Sequence, residues 1–559
     1  MGTKPRILVI GLDGATFDVL LPLVKQGILP HLATLMIKGS WGRLASTIPP
    51  FTGAAWSTFA TGQNPGQHGI ISFQERDLFN YGTSGSGFVD SRRLGHTLWE
   101  IMSDHGKRVA VINVPLTYPP RAVNGYMVSG MLTPPSARDY TYPPSLTASL
   151  SDDYVIDLDF LREDDQFRNH GFPPKSVILT KIREMSQIRG KVCLSLLEEQ
   201  QWDFFMVVFT GTDRLSHFFW DDLDSIVQND GKAAGRIQSD IVRYLTELDE
   251  TIGQLVESFG EPAVSMVLSD HGFGASPIRR VYLNIWLERI GLLHRRRRDS
   301  LLDMEYWRVR IGRNDKAKRL IRRVIPERTQ SSIKGIAESV STDIIDWNST
   351  QAYWVPIYFH VCGIEINLVE KRREGIVSTG SEYDKLREYI IGEAKKMLDP
   401  ISGEPIVDEA FKREELYSGP YVDRFPDVIL MLKPKYIAGG SLAGRLLTES
   451  TSPFRPGEHR QDGIFMAMGP PVVPQEDLPL LGLVDIPSTI LYLMGLPVPS
   501  NFDGRVLTEL LDPVHIDAFP IVAREAESSD LVTGTPVQEL SGEEEAQLLQ
   551  RLRGMGYIE

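Results

Sequence analysis

The chain has 559 residues, of which 42% are hydrophobic and 24% charged, and its formal net charge is −14 at pH 7. This length exceeds one ordinary hydrophobic core, so we expect a large α/β domain that carries insertions. The composition is typical of a soluble globular protein, and the acidic balance argues against stable nucleic-acid binding. The two cysteines, Cys193 and Cys362, show no pairing pattern, which indicates a reducing compartment.

The N-terminal stretch MGTKPRILVIGLDG contains an apolar run that ends at Gly11, which is too short for the apolar region and cleavage site of a signal peptide. No later stretch of the sequence reaches the ~20 apolar residues of a membrane span. We therefore expect a cytoplasmic protein without a membrane span, and the sequence leaves its oligomeric state open.

Strand and helix patterns alternate along the chain. The buried-strand run RILVIGLDG precedes a helical pattern that closes near Gly39, and the same order returns through LWEIMSDHGKRVAVINV, KIREMSQIRGKVCLSLLEEQ, DFFMVVFTGTD, IVRYLTELDETIGQLVESFG and AVSMVLSDHGFG. This alternation predicts a mostly parallel sheet with helices on both faces. Sites in such sheets form beyond the carboxyl ends of the strands.

Thr52 follows Pro-Pro-Phe and precedes Gly-Ala-Ala-Trp, at the point where a helical pattern begins. Its hydroxyl suits two roles. It could be an N-cap that accepts from free N–H groups of the first turn, or a nucleophile aimed at a phosphorus held at the positive end of the helix. This segment by itself favours the cap.

Four short motifs carry carboxylate and imidazole side chains that could bind metal. They are GLDG with Asp13, GTDRLSH with Asp213 and His217, LSDHGFG with Asp270 and His271, and PGEHRQDG with His459. Each alone is typical of a cap, a turn or a helix-surface pair, but Asp213 and His217 would share one face of a helix. Mixed carboxylate and imidazole ligands suit zinc or manganese, and six exceed one tetrahedral ion, so we predict two divalent ions.

With these motifs in this order, the chain resembles the alkaline phosphatase superfamily and, within it, the type I phosphodiesterase/nucleotide pyrophosphatase family, from residue 6 to about 510. The resemblance implies a mostly parallel sheet sandwiched by helices, with helical or cap insertions. It also implies two metal ions, the first on Asp213, His217 and His459, and the second on Asp13, Asp270 and His271 together with the nucleophile Thr52.

Residues 295–328 interrupt the α/β pattern with eleven arginines and two lysines against five acidic residues. A solvated basic helical face is the simpler interpretation, and a cap that attracts an anionic substrate or membrane surface is the functional one. We divide the chain into the first part of a catalytic core (1–285), a basic cap-like insert (286–345), the second part of the core with the last metal ligand (346–512) and a C-terminal tail with a short helix (513–559).

Phosphate binding departs from the family pattern. The family's asparagine about twenty residues beyond the nucleophile is replaced here, because Phe73 lies near that point. Asn64, Asn113 and Arg460 are the candidates for holding a phosphoryl oxygen instead. His68 matches a turn of the family and is interpreted as structural.

The resemblance implies a metal-dependent phosphohydrolase that cleaves phosphodiester, pyrophosphate or nucleotide bonds of a small anionic substrate, with attack by Thr52 and release by water. The alternatives are a phosphomonoesterase, a phosphomutase or phosphoryl/phosphoethanolamine-type transferase on the same bimetal core, and a non-catalytic metal-binding scaffold. A sulfatase requires a C/S-x-P-x-R pattern, which FTGAA lacks. Because the imidazoles must be neutral to bind metal, we expect activity to fall below about pH 6 to 7.

Overall fold

The computed structural model describes residues 4–74, 88–158, 173–296, 344–442, 444–450, 455–526 and 540–555. The chain forms two compact units. The first unit combines Met1–Phe73, Gly87–Ala275 and Pro453–Glu559, and the second unit combines Gln74–Ser86 with Ser276–Ser452. The divisions drawn from the sequence at 286, 346 and 513 stay a prediction, and residues 297–328 of the basic insert lie outside the described residues.

The strands are numbered here in chain order. They are β1 (Arg6–Leu12), β2 (Ser40–Ala45), β3 (Val109–Ile112), β4 (Gly125–Val128), β5 (Thr141–Tyr142), β6 (Phe204–Phe209), β7 (Ala263–Leu268), β8 (Gly272–Ala275), β9 (Arg279–Tyr282), β10 (Ala352–Tyr358), β11 (Val361–Ile366), β12 (Val407–Lys412), β13 (Val428–Leu432), β14 (Tyr436–Gly439), β15 (Leu447–Glu449), β16 (Gly457–Arg460), β17 (Asp462–Met468), β18 (Gln475–Gly482), β19 (Val498–Pro499) and β20 (Ala523–Arg524). The α-helices are Phe17–Lys25, Pro30–Lys38, Thr52–Thr61, Pro65–His68, Leu98–Asp104, Lys175–Glu199, Gly211–Gln228, Arg236–Phe259, Leu283–Arg289, Ser381–Lys395, Arg413–Leu416, Asp485–Leu493, Pro513–Ala518 and Gly542–Met555.

The first unit is built on a sheet of nine described strands in the order β18-β2-β17-β7-β1-β6-β3-β4-β5. Its centre is parallel, because β1 pairs in parallel with β6 and β7, and β3 pairs in parallel with β6 and β4. Strand β17 runs antiparallel between β7 and β2. All residues of β6 and β7 are buried, as is typical of parallel strands covered on both faces. The predicted mostly parallel sheet is confirmed.

Five described helices cover one face of this sheet. Their apolar residues form a single hydrophobic core with alternate strand residues such as Leu8, Ile10 and Val207. The alternation follows from the two-residue period of a strand, which sends every second side chain to the same face. These helices are Phe17–Lys25, Pro30–Lys38, Lys175–Glu199, Gly211–Gln228 and Arg236–Phe259.

The opposite face receives the helix Thr52–Thr61, all of whose residues are buried. It packs against the helices Leu98–Asp104 and Asp485–Leu493. The Trp56 ring lies 2.6 Å from the point where a Cβ of Gly11 on β1 would stand. A methyl group does not fit at that distance, so the first glycine of GLDG makes room for Trp56. Helices on both faces confirm the predicted α/β architecture.

The second unit has its own sheets and its own hydrophobic core. Its four-stranded sheet has the order β10-β11-β13-β12, and a three-stranded sheet has the order β14-β9-β15. The buried carboxylate of Asp427 accepts from Arg413 Nη1 at 2.9 Å, from Tyr383 Oη at 2.7 Å and from the backbone N–H of Ile366 at 2.7 Å. This unit therefore contains a buried carboxylate–guanidinium pair whose hydrogen-bonding capacity is well used.

The predicted C-terminal helix is present as Gly542–Met555, with three glutamates in its first turn. Leu548 and Leu552 are buried, and Arg551 Nη1 donates to the Thr133 carbonyl at 3.1 Å. The helix is thus anchored within the first unit.

Among the described residues, no single helix is long and apolar enough to cross a membrane, and one bent pair, Phe17–Lys25 with Pro30–Lys38, meets that test by length and composition alone.

Asp249 caps a neighbouring helix across the core, because its two oxygens accept from the N–H groups of His31 at 3.0 Å and Leu32 at 2.8 Å. These donors belong to a first helical turn and have no partner within their own helix. We expect Asp249→Ala to lower the free energy of unfolding by about 1–3 kcal/mol, measured by urea denaturation. The exposed neighbour Glu250 supplies the control, Glu250→Ala, and equal effects of the two variants would contradict the capping role.

Candidate metal centre

The candidate ligands collect at the carboxyl edge of the first unit's sheet. Strands β7, β1 and β6 are adjacent and parallel, so their C-terminal ends meet. Each of these strands is followed directly by predicted ligands, namely Asp13 after β1, Asp270 and His271 after β7, and Asp213 and His217 on the helix Gly211–Gln228 after β6. The topology of the sheet thus brings together residues that are more than two hundred positions apart.

His459 and Thr52 reach the same place from other elements. His459 lies on β16, opposite Phe273 of β8, and its ring stacks on that of His271 with centroids 3.6 Å apart. Thr52 is the first residue of its helix, and Phe51 occupies the N-cap position. The Thr52 hydroxyl lies 3.2 Å from Nε2 of His271. The predicted helix start is therefore present, but Thr52 is not the cap.

One set of donor atoms surrounds Nε2 of His271. Oδ2 of Asp270 lies 3.3 Å from this nitrogen, and Oδ1 of Asp13 lies 3.7 Å from it. One donor atom from each of the three residues lies within 4.8 Å of the others. The Thr52 hydroxyl faces the same nitrogen, so this set has the composition that the sequence predicts for the second metal ion.

A second set of donor atoms surrounds Oδ1 of Asp213. This oxygen lies 3.4 Å from Nε2 of His217 and 3.1 Å from Nε2 of His459, and the two nitrogens are 3.1 Å apart. His459 also belongs to two other groups with donor atoms within 4.8 Å of one another, one with Asp213 and His271 and one with His217 and Glu458. The donor sets therefore adjoin, with His459 between them.

Each of the three aspartates has one oxygen held by an outer hydrogen bond. Trp56 Nε1 donates to Oδ2 of Asp13 at 3.0 Å, and the Gly14 N–H donates to Oδ1 of Asp270 at 3.1 Å. Arg214 Nη1 donates to Oδ2 of Asp213. In all three cases the other oxygen is the one that faces an imidazole nitrogen of the cluster.

Each of the three histidines is oriented by a backbone carbonyl. The Nδ1 atoms of His217, His271 and His459 lie 3.1, 3.1 and 3.0 Å from the carbonyl oxygens of Gly457, Gly272 and Pro50. A carbonyl only accepts, so Nδ1 carries the proton in His271 and His459 and Nε2 keeps its lone pair. Nδ1 of His217 also lies 2.6 Å from Arg455 Nη2, which only donates, so the carbonyl and the guanidinium favour opposite tautomers of this ring. Outer hydrogen bonds of this kind are the usual way of fixing a metal-binding imidazole.

The buried oxygen and nitrogen atoms of the cluster are suited to binding divalent cations. Oδ1 of Asp13 and Oδ2 of Asp270 are buried and receive no hydrogen bond from any residue that the structure describes. A buried carboxylate oxygen without a donor is unfavourable unless a cation faces it. Together with the imidazole nitrogens of the cluster, these oxygens make a donor set of the type that zinc and manganese prefer.

Burial is the main cause of the pKa shifts of the aspartates. It raises the pKa of Asp13 well above its usual range, and the negative charges of Asp270 and Asp213 raise it further. Burial likewise raises the pKa of Asp270 well above its usual range, although the Gly14 N–H opposes it. Burial would also raise the pKa of Asp213, but His217 and Arg214 outweigh it and hold this pKa well below its usual range.

Burial lowers the pKa of both His217 and His271 well below that of a free imidazole. The second cause is the positive charge of Arg455 for His217 and the neighbouring His459 for His271. Arg455 Nη2 lies 2.9 Å from Nε2 of His217, so a cation on that nitrogen requires the guanidinium to shift. Both rings remain neutral at pH values where a free imidazole is already protonated.

The three predicted phosphate-binding residues have structural partners in this fold. Asn64 caps the short helix Pro65–His68 and donates to Asp503 Oδ2 at 2.8 Å. The Asn113 amide donates to the Ile156 carbonyl at 3.3 Å. Arg460 donates to the carbonyls of His459 at 2.8 Å and Ala275. Their role in phosphate binding stays a prediction that these contacts do not favour.

His68 has the structural environment that the sequence predicted. It is fully buried, its Nδ1 accepts from the Ile70 N–H at 3.2 Å, and its Nε2 lies 3.1 Å from the Thr58 hydroxyl. Burial lowers the pKa of His68 to about 3. A neutral ring that joins the Ile70 backbone to the Thr58 side chain in this way stabilises the turn.

Several residues around the cluster were missed by sequence reasoning. Trp56, Arg214, Arg455 and Glu458 contact the ligands directly, and Asp157 contacts Arg214. Arg214 is adjacent to Asp213 in GTDRLSH, and Glu458 is adjacent to His459 in PGEHRQDG, so proximity in sequence was the available signal for these two. Nothing in the sequence indicates that Asp157, in an irregular segment, meets Arg214.

The comparisons with known proteins agree with the geometry. The family model described as type I phosphodiesterase / nucleotide pyrophosphatase matches residues 7–451. The chain belongs to this family. It is therefore a hydrolase that acts on phosphoric ester bonds and carries a metal-binding core, and the resemblance inferred from the motifs is confirmed. No curated relative matches the chain in sequence.

Solved structures match over most of the chain. Phosphonoacetate hydrolase from Sinorhizobium meliloti 1021, in complex with phosphonoacetate, has a TM-score of 0.51 and 16% identity, covering 88% of this chain and 96% of that chain. Murine ectonucleotide pyrophosphatase/phosphodiesterase 5, in an inactive form in complex with AMP, has a TM-score of 0.47 and 13% identity, covering 91% of this chain and 100% of that chain. At such identities the likeness to the hydrolase concerns the fold, and the predicted alkaline-phosphatase-like fold class is confirmed.

Trp56→Phe tests whether the outer hydrogen bonds orient the ligands. Phenylalanine keeps an aromatic ring at this position but lacks the Nε1 donor, so Asp13 loses this hydrogen bond. We expect the affinity for Zn²⁺ to fall roughly 10- to 100-fold, measured by competition with a chromogenic chelator. Trp202→Phe is the matched control, since Trp202 is equally buried and its Nε1 donates to the Leu196 carbonyl at 2.9 Å. Unchanged affinity in Trp56→Phe would refute the orienting role.

The pKa directions predict how metal stabilisation depends on pH. In the metal-free chain the raised pKa values of Asp13 and Asp270 let both residues keep protons that a cation must displace. His217 and His271 are neutral with and without metal, so the number of protons that they bind does not differ between the two forms. The rise in melting temperature on adding metal at a fixed free concentration should therefore grow as pH increases from 5 to 8.

The measurement is differential scanning calorimetry of stripped and metal-loaded protein in parallel. The expected sign follows from linkage, because the metal-free native state binds more protons than the loaded state. A shift that stays constant over this pH range would mean that both aspartates are already ionised in the stripped protein.

Proposed function

We propose that this chain hydrolyses phosphodiester bonds, including pyrophosphate or nucleotide bonds, of small anionic substrates through Thr52 as nucleophile and two divalent metal ions. Membership of the family supports the reaction class. The adjoining donor sets support two ions, and their imidazole and carboxylate composition favours zinc, with manganese as the other candidate.

The observation that carries the proposal is the position of the Thr52 hydroxyl. Thr52 stands at the N-terminus of a ten-residue helix, and its oxygen lies 3.2 Å from Nε2 of His271, beside the free oxygens of Asp13 and Asp270. The positive end of the helix favours an anionic phosphoryl group at this point. These surroundings of the buried hydroxyl support its proposed role as the nucleophile.

Divalent cations on these ligands would make the Thr52 hydroxyl a stronger acid and neutralise charge that develops on the transferring phosphoryl group. In the proposed reaction Thr52 Oγ1 forms a bond to phosphorus while the bond from phosphorus to the leaving oxygen breaks. The product of this step is a phosphothreonine or nucleotidyl-threonine. Water then cleaves the new bond and restores the Thr52 hydroxyl.

The chain's own residues hold the reacting groups in place. Trp56 and Gly14 fix the orientation of Asp13 and Asp270 through the hydrogen bonds described above. The Nδ1–H groups of His271 and His459 donate to backbone carbonyls, which holds both rings in place. Such preorganisation means that the ligands need not reorient during the reaction.

Thr52→Ala tests the nucleophile. We expect kcat with bis-p-nitrophenyl phosphate to fall by at least about 10³-fold because the covalent step is removed, while the metal content measured by mass spectrometry stays near two ions per chain. Thr52→Ser should retain part of the activity. Thr61→Ala is the matched control, since Thr61 closes the same helix and its hydroxyl donates to the Ser57 carbonyl at 2.7 Å.

The outcomes separate the alternatives. Acid quenching of the wild-type reaction, followed by peptide mass spectrometry, should find the phosphoryl or nucleotidyl group on Thr52. Near-wild-type turnover of Thr52→Ala would exclude covalent catalysis by this residue. Preference for p-nitrophenyl phosphate over the diester would favour a phosphomonoesterase, and inactivity of the metal-loaded protein on both would favour a transferase or a scaffold.

A further inference from the structure

Behind Asp213 lies a chain of three buried charges, formed by Asp213, Arg214 and Asp157. The side chains of Arg214 and Asp157 are 1% and 0% exposed, and Arg214 Nη2 lies 2.6 Å from Oδ2 of Asp157. Arg214 Nε lies 3.4 Å from the other oxygen of Asp157. The opposite nitrogen of the guanidinium, Nη1, donates to Oδ2 of Asp213. One planar guanidinium thus bridges two carboxylates.

The bridge determines which oxygen of Asp213 faces the metal ligands. Arg214 takes Oδ2, and Oδ1 is left pointing at Nε2 of His217 and Nε2 of His459. The guanidinium fork is rigid, so anchoring one side of it on Asp157 fixes the direction of the bond on the other side. Asp157 therefore acts on the ligand without touching it.

Charge balance gives Asp157 a second effect. Paired with Asp157, Arg214 contributes no net charge, and the site keeps the whole negative charge of Asp213 for a cation. Without the Asp157 charge, Arg214 would neutralise Asp213 and repel a cation. In a buried site of low dielectric this difference is large, because interactions between charges are only weakly screened.

We infer that Asp157 and Arg214 are a positioning pair that orients Asp213 and sets the cation affinity of the site formed by Asp213, His217 and His459. The inference rests on the proposed function for the presence of a cation at this site. Neither residue touches the reacting groups, so both act through Asp213. A purely structural ion pair of equal burial would leave the metal affinity alone.

The test is the affinity of the full chain for Zn²⁺, measured by competition with a chromogenic chelator. Asp157→Asn keeps the size of the side chain and removes its charge. We expect one of the two Zn²⁺ affinities to fall roughly 10- to 100-fold. Arg214→Lys keeps a positive charge but cannot bridge both carboxylates, and it should also weaken binding.

A double variant separates the charge effect from simple damage. In Asp157→Asn combined with Arg214→Met, the charge of Arg214 no longer opposes Zn²⁺ beside Asp213, so affinity should recover at least threefold relative to Asp157→Asn alone. Asp427→Asn is the matched control, because Asp427 is a fully buried carboxylate on an arginine in the second unit. It should lower thermal stability and leave the Zn²⁺ affinity within about twofold.

The results decide the inference independently of catalysis. Unchanged affinity in Asp157→Asn overturns it, as does an equal loss in Asp427→Asn or a double variant no better than the single one. If Asp157→Asn does not fold, Arg214→Lys and the double variant carry the same comparison. An inactive Thr52→Ser variant, or a wild type without diesterase activity, would bear on the proposed function only, because the readout here is Zn²⁺ binding.

Discussion

Three carboxylates and three imidazoles packed into one buried cluster form the constraint on which the rest of the first unit depends. Asp13, Asp213 and Asp270 are each at most 1% exposed, and ionised carboxylates at such burial repel one another and lose their hydration. Only protons, guanidinium groups or metal ions can offset this. The raised pKa values of Asp13 and Asp270 show that local protein groups do not offset it fully, whereas Asp213 has Arg214 beside it.

The fold keeps this unfavourable cluster in one geometry by drawing on both faces of the sheet. Trp56 comes from the helix on one face and reaches Asp13 through the space left by Gly11. Gly14 has a φ of +67° and donates to Asp270, a backbone conformation in which a side chain would be strained. A Cβ on Gly14 would also lie 2.7 Å from the Phe273 ring. The two glycines of GLDG thus help to orient two candidate ligands. Gly11 leaves space for Trp56, which donates to Asp13, and Gly14 donates to Asp270.

Sequence reasoning could select the candidate ligands because each stands in a short motif, and most of these motifs follow parallel strands whose carboxyl ends meet. Thr52 was placed correctly at a helix start, but its hydroxyl role depends on which residue faces it, and a sequence does not show that His271 does. Asn64 and Asn113 were chosen for their amide groups alone. Their actual partners, Asp503 and the Ile156 carbonyl, lie far away in sequence. The type of side chain alone therefore could not show the roles of these two asparagines.

The same reasoning explains why the outer contacts were beyond prediction. Asp157 precedes no recognisable motif, and its contact with Arg214 depends on the path of an irregular segment. Arg214 itself stands beside a candidate ligand in the sequence, yet arginine side chains are mostly exposed, so its burial could not be expected. The orienting carbonyls of Gly457, Gly272 and Pro50 are main-chain groups, which every residue has. Their effect arises only from the tertiary structure.

His459 shows how the last ligand is supplied without a strand end. Strand β16 pairs antiparallel with β8, and this register sets His459 opposite Phe273, two residues beyond His271. Side chains alternate between faces along a strand, so a shift of one residue would turn His459 away and bring Glu458 or Arg460 in its place. The register is held at both ends of the pair, by Gly457 opposite Ala275 and by Arg460 opposite Gly272. Hydrogen bonding between two short strands therefore completes a cluster whose other ligands come from the edge of the central sheet.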